Sequence, residues 1–389
     1  MRILMVLENT FPEDERVEKE IASLLAEGHE VRIAVYSRKK TSFKEEFNGY
    51  TIYRMYMSKL MYKLSAAILV YPGYFMKWRN FLHRIFTEWN FEAIHIHDLP
   101  LAKLGYEYKK KKSILFIADQ HEYYSNWIVK TAHYNSFIGK FIRLFSNWKK
   151  YEKKCLEYAD LVCTVEEPLR ALYLKEYKLE ENRIVVIPNT PGKTLYDIKP
   201  AARNSEKYIL FYCGGLDVLR GLETPIRSLL ILKEKIPGIM ISLVGKVNKH
   251  FDPLAYAGEL GLQNYIEFRG WVHYSKLPAE IDQSDICFFT PPVNRDEINN
   301  TIATKIYQYM ARKKPVIVGR ARYMKEFVEK LDTGIVVDET SPEAFAEAVL
   351  SLYNSSDLYE RYAMNATRHA EDYYWETTIK PLTDFYEIR

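Results

Sequence analysis

Three segments of this 389-residue chain carry residue types suited to holding a diphosphate. The first, Gly214-Gly215-Leu216-Asp217-Val218-Leu219-Arg220-Gly221, follows an apolar run. Its paired glycines let a ligand's phosphates approach the backbone, and Arg220 offers a forked guanidinium to phosphate oxygens. The second is Gly245-Lys246, a glycine-basic pair at the end of another apolar run. The third is Asn300-Thr301-Ile302-Ala303-Thr304-Lys305, which opens a pattern with apolar positions Ile302, Ile306, Tyr309 and Met310 at helical spacing. A helix start presents unpaired N–H groups and the positive end of its dipole, so it can hold a phosphate. Taken singly, these are tight turns and a solvated arginine. Taken together, they describe one anion site.

The elements that would position these residues alternate from end to end. Strand patterns cover Arg2–Leu7, Val31–Tyr36, Ala93–His97, Ser113–Ala118, Leu161–Val165 and Ile184–Ile187. They restart with Tyr208–Cys213, Ile239–Val244, Ile266–Phe268, Ile286–Phe289, Pro315–Val318 and Gly334–Val337. Helical patterns lie between, as in Glu13–Glu27 with Val17, Ile21, Leu24 and Leu25 on one face. Such alternation predicts α/β architecture with parallel, doubly wound sheets, whose ligands sit at the carboxyl ends of the strands. The length suits two domains, and 48% hydrophobic residues can fill two cores. The expected division is residues 1–190, a proline-, glycine- and charge-rich linker over 191–206, and a second domain over 207–372. The aromatic helical segment from about 373 to 389 is expected to pack back on the first domain.

Several chemistries lose support. The loop after the first strand reads Glu8-Asn9-Thr10-Phe11-Pro12, with no G-x-G-x-x-G, and no Walker A motif occurs, which argues against NAD and ATP chemistry. The absence of a D-x-D sequence argues against a metal-clamped diphosphate. Cys155, Cys163, Cys213 and Cys287 form no C-x-x-C pair and read as reduced core residues of a cytoplasmic protein. The opening Met1–Leu7 is too short for a signal peptide, and the longest uncharged run, Leu64–Met76, is shorter than a bilayer span.

The net charge of +4 conceals an asymmetry. From Arg38 to Asn90 there are ten Lys/Arg against three Asp/Glu, interleaved with Tyr56, Leu60, Tyr62, Trp78 and Phe86; Lys109–Lys112 and Lys140–Lys154 add further positive charge. That mixture suits a peripheral position on anionic lipid headgroups at the inner face of the cell membrane; an ordinary amphipathic helical pair packed on a sheet is the alternative. No nucleic-acid module accompanies the charge.

Several motifs, in order, resemble the retaining glycosyltransferases of family 4, which have the GT-B fold. Phe11 to Glu20, containing Asp14-x-Arg16-Val17, with Gly28-His29-Glu30-Val31 after it, is similar to the first loop and helix of one branch. His95-Ile96-His97-Asp98, Asp119-Gln120-His121-Glu122, Val165-Glu166-Glu167-Pro168 and Pro188-Asn189-Thr190-Pro191 follow. Gly214-Gly215 through Arg220-Gly221, the Lys305–Met310 helix and Trp375-Glu376 complete the series.

The resemblance implies two Rossmann-like domains facing a cleft and transfer of a sugar from a UDP- or GDP-linked donor to a glycan or polyprenyl-linked acceptor. It implies retention of configuration, with neither cofactor nor metal. Arg220 then neutralises the diphosphate, Lys276 and Val272 lie near the nucleotide, and His121 stands against the sugar. Relatives carry a basic residue where this chain has Gly215, and two glutamates where it has Asn300 and Gln308. Both amides can still bind hydroxyls, but neither carries charge. That departure keeps a non-catalytic nucleotide-sugar or glycan-binding relative open, as well as a sugar-nucleotide epimerase. Asp14 and Arg16 either meet acceptor or phosphate, or form a salt bridge that starts the first helix.

Overall fold

A computed structural model describes residues 1–12, 14–128, 147–203, 206–248 and 251–388. Glu13, at the start of the expected first helix, lies outside the described residues, as does the 140–146 part of the basic segment. The chain divides into two compact units: Met1–Pro188 with Ile379–Arg389, and Asn189–Thr378.

The first unit is built on an eight-stranded sheet. Its strands are β1 (Arg2–Leu7), β2 (Glu30–Ser37), β3 (Lys44–Phe47), β4 (Tyr50–Tyr56), β5 (Ala93–His97), β6 (Leu115–Gln120), β7 (Leu161–Thr164) and β8 (Ile184–Val186). Their order is β3-β4-β2-β1-β5-β6-β7-β8. All neighbours run parallel except β3 with β4, a hairpin closed by Asn48-Gly49. Asn48 and Gly49 both have positive φ, as the twist of a tight hairpin requires. The sequence reading left 44–56 inside the basic, aromatic segment; the Asn-Gly pair was the signal for these two strands.

The helices are amphipathic and bury their apolar stripes. In Glu15–Ala26, Val17, Ile21 and Leu24 face inward, and Asp14 caps the start by accepting from the Val17 N–H at 3.2 Å. Helix Pro72–Glu88 buries Tyr74, Phe75, Trp78, Phe81, Leu82 and Ile85 in the same core as Leu4, Val6 and Ile94. Helix Lys380–Glu387 closes this unit, with Leu382 and Tyr386 buried and the Tyr386 hydroxyl 3.2 Å from His95 Nδ1.

The second unit carries six parallel strands: β9 (Tyr208–Cys213), β10 (Ile239–Val244), β11 (Ile266–Gly270), β12 (Ile286–Phe289), β13 (Val316–Val318) and β14 (Gly334–Val336). The order is β11-β10-β9-β12-β13-β14, so the winding reverses between β9 and β12. Parallel strands buried on both faces need continuous apolar runs, and all six residues of Ile239–Val244 are buried. All four cysteines are buried free thiols. Among the described residues, no helix is long and apolar enough to cross a membrane.

Two expected boundaries move. Residues 191–206 are not a free linker: Lys193–Asp197 is a helix in the second unit. Arg312 donates from Nη1 to the carbonyls of Leu195 and Ile198 at 3.0 and 2.8 Å, while Nε and Nη2 bind both oxygens of Asp282 at 2.8 and 2.6 Å. Asp282 also accepts from the Ala201 N–H. A polar composition therefore marks backbone held by a buried ion pair. The return to the first unit begins at Ile379 and not near 373. Trp375 is buried in the second unit, its N–H donating to Pro191 O at 3.0 Å, and Glu376 accepts from the Lys193 N–H.

Replacing Arg312 by alanine strands the Asp282 carboxylate and two carbonyls in a buried site. Loss of one partner of such a pair costs about 3–5 kcal/mol. Urea unfolding of Arg312→Ala is expected to show a loss of that size in the second unit, and a loss within 1 kcal/mol or so would refute the packing role.

Candidate functional site

In the second unit, the loops that leave the carboxyl ends of β9, β10, β11 and β12 surround a pocket of about 690 Å³. It stands where the strand order reverses, the position at which doubly wound sheets leave a crevice. Backbone hydrogen bonds join the loops: Gly214 N–H to Val244 O, Leu216 N–H to Lys246 O and Gly245 N–H to Gly270 O. Gly245 has φ +152°, and a Cβ there would lie 1.8 Å from Gly214 O, so only glycine allows this approach. At Gly214, φ +135°, a Cβ would meet Lys305 Nζ at 2.8 Å.

Of the residues singled out from sequence, the pocket brings together Gly214, Gly215, Arg220, Gly245, Val272, Thr301, Ala303, Thr304, Lys305 and Gln308. Three are not part of its lining. Lys276 ends a short turn, Tyr274–Lys276, as an exposed side chain. Asn300 donates to Asp296 O at 2.8 Å and accepts from Arg322, so its amide is committed to neighbouring chain. Ile302 is buried in the apolar core. The helix also starts later than expected: Asp296–Asn299 is a separate turn, and the helix runs Thr304–Ala311 behind an extended Ala303. No side chain caps that start.

The pocket is strongly cationic. Arg220, Lys246 and Lys305 line it, and among the described residues no lining residue is acidic. The Arg220 guanidinium has Asp217 as neighbour, with Nε 3.5 Å from Oδ2. Lys305 Nζ lies 4.1 Å from the Phe289 ring centroid and 4.6 Å from that of Tyr212, and it donates to the Tyr212 hydroxyl at 3.3 Å. Burial between these rings lowers its pKa to about 8, helped by the nearby Arg220 charge and opposed by Cys213. Lys246 lies 5.4 Å from the ring of Trp271, which is 61% exposed. Lys246 supplies a cation beside the position where Gly215 lacks one; the glycine-lysine spacing signalled it, but the partner Trp271 was not legible. Gln308 is buried, its Oε1 3.9 Å from Cys213 Sγ.

The first unit has its own polar cluster beneath the carboxyl ends of β5 and β6. His95 and His97, two apart on β5, share a face; Arg16 and Glu20 share the inner face of Glu15–Ala26 at i, i+4. Arg16 Nη2 contacts both Asp119 oxygens at 3.3 Å, Nε lies 3.0 Å from Glu20 Oε1, and Nη1 donates to Ile187 O at 2.7 Å. Arg16 is thus buried, and its expected contact with a ligand gives way to a structural role; Asp14, half-buried, caps the helix through Oδ1. The expected salt bridge exists, but with Asp119 and Glu20 in place of the helix start. Glu20, His95, His97 and Asp119 place one donor atom each within 4.8 Å of one another, a spacing that could suit a divalent ion. Arg16 already supplies the countercharge to both carboxylates, and the rings of His95 and His97 stack parallel at 4.7 Å instead of converging. This is an ion-pair network, not a ligand set.

His121 sits at the rim of that network with Nε2 3.1 Å from Asp119 Oδ2 and Nδ1 3.8 Å from Asp98 Oδ1. Burial works against its charge, but the carboxylates of Asp98 and Asp119 outweigh burial and push its pKa up to about 9.

Comparison with known proteins agrees with this architecture. Residues 16–190 match the family model Glycosyltransferase Family 4, and residues 196–369 match Glycosyl transferases group 1. A D-inositol 3-phosphate glycosyltransferase of Corynebacterium glutamicum is 24% identical over 254 residues, 60% of this chain and 59% of that protein. The chain thus spans about three fifths of that relative's length. Among solved structures, the sucrose-phosphate synthase of Thermosynechococcus elongatus superposes with TM-score 0.75 at 16% identity, covering 100% of this chain and 98% of that one. Anabaena HepE in complex with UDP superposes with TM-score 0.68 at 14% identity, with both chains fully covered. With two such models laid end to end over nearly all of its length, the chain belongs to the family 4 glycosyltransferases, which have the GT-B fold.

Proposed function

We propose that this protein transfers a sugar, with retention of configuration, from a nucleoside-diphosphate sugar to a glycan or lipid-linked acceptor, and that it needs no metal to do so. The observation that carries this reading is the pocket of the second unit: among the described residues, three cations and no carboxylate line it, together with glycine backbone and a helix start. A diphosphate leaving group gains negative charge as its bond to the sugar breaks, and preorganised donors stabilise that charge without reorganising. Arg220 and Lys305 would supply such donors, and their shared place in the pocket lining with Gly214 and Thr304 supports this reading. A cation-bridged diphosphate needs carboxylates to hold the ion; among the described residues the lining has none, and the nearby Asp217 is engaged by Arg220. Trp271, Val272 and Tyr274 offer apolar and aromatic surface for a base. The solved relative that contains UDP supports a uridine nucleotide as the first donor to test.

Gln308 reaches the pocket and Asn300 does not, so Gln308 is the amide that meets donor hydroxyls. Without glutamates at these positions, a binding protein that no longer transfers sugar is the second reading. Product analysis decides between them, because a transferase yields a glycosylated acceptor, an epimerase free nucleotide and a changed sugar, and a binding protein neither.

The first unit also suits peripheral docking on anionic lipid. Between Phe47 and Thr87 no residue is acidic, while Leu60 (72% exposed), Tyr62, Val70, Tyr71 and Met76 lie at the surface among Lys59, Lys63 and Lys77. The inner face of helix Pro72–Glu88 packs on the sheet as the ordinary amphipathic reading expects, and the outer apolar residues are what that reading leaves without a role.

Calorimetry should show tight binding of one of UDP-, GDP-, ADP- or dTDP-sugars without added metal, and a loss of about 1.5–3 kcal/mol in Arg220→Ala, roughly ten- to a hundredfold in Kd. Unchanged affinity would remove Arg220 from the site. Affinity should also depend on pH through Lys305. Below pH 8 its ammonium is already present; above its pKa of about 8, binding a diphosphate must recruit a proton. Kd is therefore expected to rise by up to about tenfold per pH unit above that point, and to lose this dependence in Lys305→Gln. A flat profile from pH 7 to 10 in the wild type would contradict the caged ammonium. Vesicles rich in anionic lipid should retain the protein at low salt and release Leu60→Ser/Met76→Ser; equal flotation of both would remove the lipid surface.

A further inference from the structure

The buried network of the first unit has one outlet. Arg16, Glu20, His95, His97 and Asp119 are closed off from solvent, and His121, with a side chain 20% exposed, is the member that reaches the surface. Asp119 Oδ2 is the point on which the others converge: His121 Nε2 at 3.1 Å, Arg16 Nη2 at 3.3 Å, His97 Nδ1 at 3.4 Å and His95 Nε2 at 3.8 Å. The other ring nitrogen of His121 faces a second carboxylate, Asp98, whose Oδ1 also accepts from the His121 backbone N–H at 3.4 Å. Asp98 is held in turn, its N–H donating to Asp119 O at 2.7 Å from a left-handed φ of +63°.

We infer that Asp119, anchored by Arg16, is the positioning residue that fixes the His121 ring by Nε2 and makes it a protonated donor, so that it offers an N–H and never a lone pair to a ligand. Nε2–H is taken by Asp119, whereas Nδ1, 3.8 Å from Asp98 and beyond hydrogen-bond reach of it, carries the N–H left for a ligand; with both carboxylates favouring the cation, no lone pair serves a general base. Its partner is an oxygen: a sugar hydroxyl or a phosphate. This assignment rests on the reading that His121 meets substrate. Every charged or titratable group against the ring argues the same way or is neutralised. Asp98 and Asp119 favour the cation. Arg16 opposes it but is matched by Asp119, which it and His121 hold well below the usual carboxylate range. Glu20 is pushed up by burial and by Asp119 and lies 3.0 Å from Arg16 Nε; His97 is lowered to about 4 by burial and stays neutral. Asp119 and Glu20 therefore answer Arg16 from inside, and Asp98 answers His121 from the rim.

The test is a nitrogen-15 histidine NMR titration of the full chain, with the His121 ring assigned by its loss in His121→Gln. Both ring nitrogens of His121 should carry protons at neutral pH and titrate together near pH 9. In Asp119→Asn the midpoint should fall toward the ordinary histidine value of about 6.5. A wild-type ring that is neutral at pH 7.5 overturns the inference without any variant, which covers the case in which Asp119→Asn does not fold. Turnover gives an independent readout. Because the cation is the working form, kcat should fall as pH rises through about 9 in the wild type. In Asp119→Asn it should fall near neutrality, and Asp119→Glu should restore the wild-type limb. If His121→Gln turns over at the wild-type rate while the NMR result holds, it is the substrate-contact reading that fails and not the positioning by Asp119.

Discussion

Parallel strands deliver all their carboxyl ends to one edge of a sheet, and the loops that leave that edge must share it. In the second unit this constraint decides everything about the site. Strands β9, β10 and β11 end on glycines or glycine pairs because their outgoing backbones touch, with Gly245 against Gly214 and Gly245 N–H bonded to Gly270 O. Reversal of the winding between β9 and β12 then opens the crevice into which helix Thr304–Ala311 presents its first turn. The pocket exists because glycines permit the approach and the topology leaves a gap beside it.

Buried charge is handled in one way in the cores of both units and in another way in the pocket. In the first unit, Arg16 is matched by Asp119 and Glu20, and the carbonyl of Ile187 takes a further guanidinium N–H. Burial opposes the Arg16 charge, but the carboxylates outweigh it and raise its pKa. The pair Arg312–Asp282 serves the second unit in the same structural manner. In the pocket, by contrast, Lys305 has the rings of Phe289 and Tyr212 as neighbours, the Tyr212 hydroxyl accepting its N–H, and burial pulls its pKa down. A cation whose charge is disfavoured in the empty protein gains most from an arriving anion. That difference, more than the number of basic residues, separates the lysine of the pocket from the structural arginines.

His121 belongs to neither class. It draws its charge from Asp98 and Asp119, and it is the member of its network that reaches the surface. Its protonation is set by residues from the ends of β5 and β6, strands that are adjacent in the sheet and whose hydrogen-bonded register places His97 beside Asp119.

Much of this was readable in the residues themselves. Period-two and apolar runs located twelve strands to within a residue or two at most ends, since burial on both faces demands uninterrupted Val, Ile, Leu and Phe. Glycine followed by a basic residue at a strand end marked residues that share the pocket, because that spacing is set by local backbone geometry. Other features needed the fold. The β3–β4 hairpin hid in a basic segment whose charges drew attention from Asn48-Gly49. Arg16 and Arg220 are the same residue type beside a nearby acid, and only packing reveals that one is sealed under the sheet while the other lines a pocket. Asn300 lay four residues from Thr304 in the same motif, yet the chain turns between them and spends its amide on Asp296. Local sequence determines which strands and turns form, because those depend on neighbours within a few residues. Which side chains share a cavity, and which charges go unmatched there, depends on contacts between residues a hundred positions apart, and tertiary structure alone decides it.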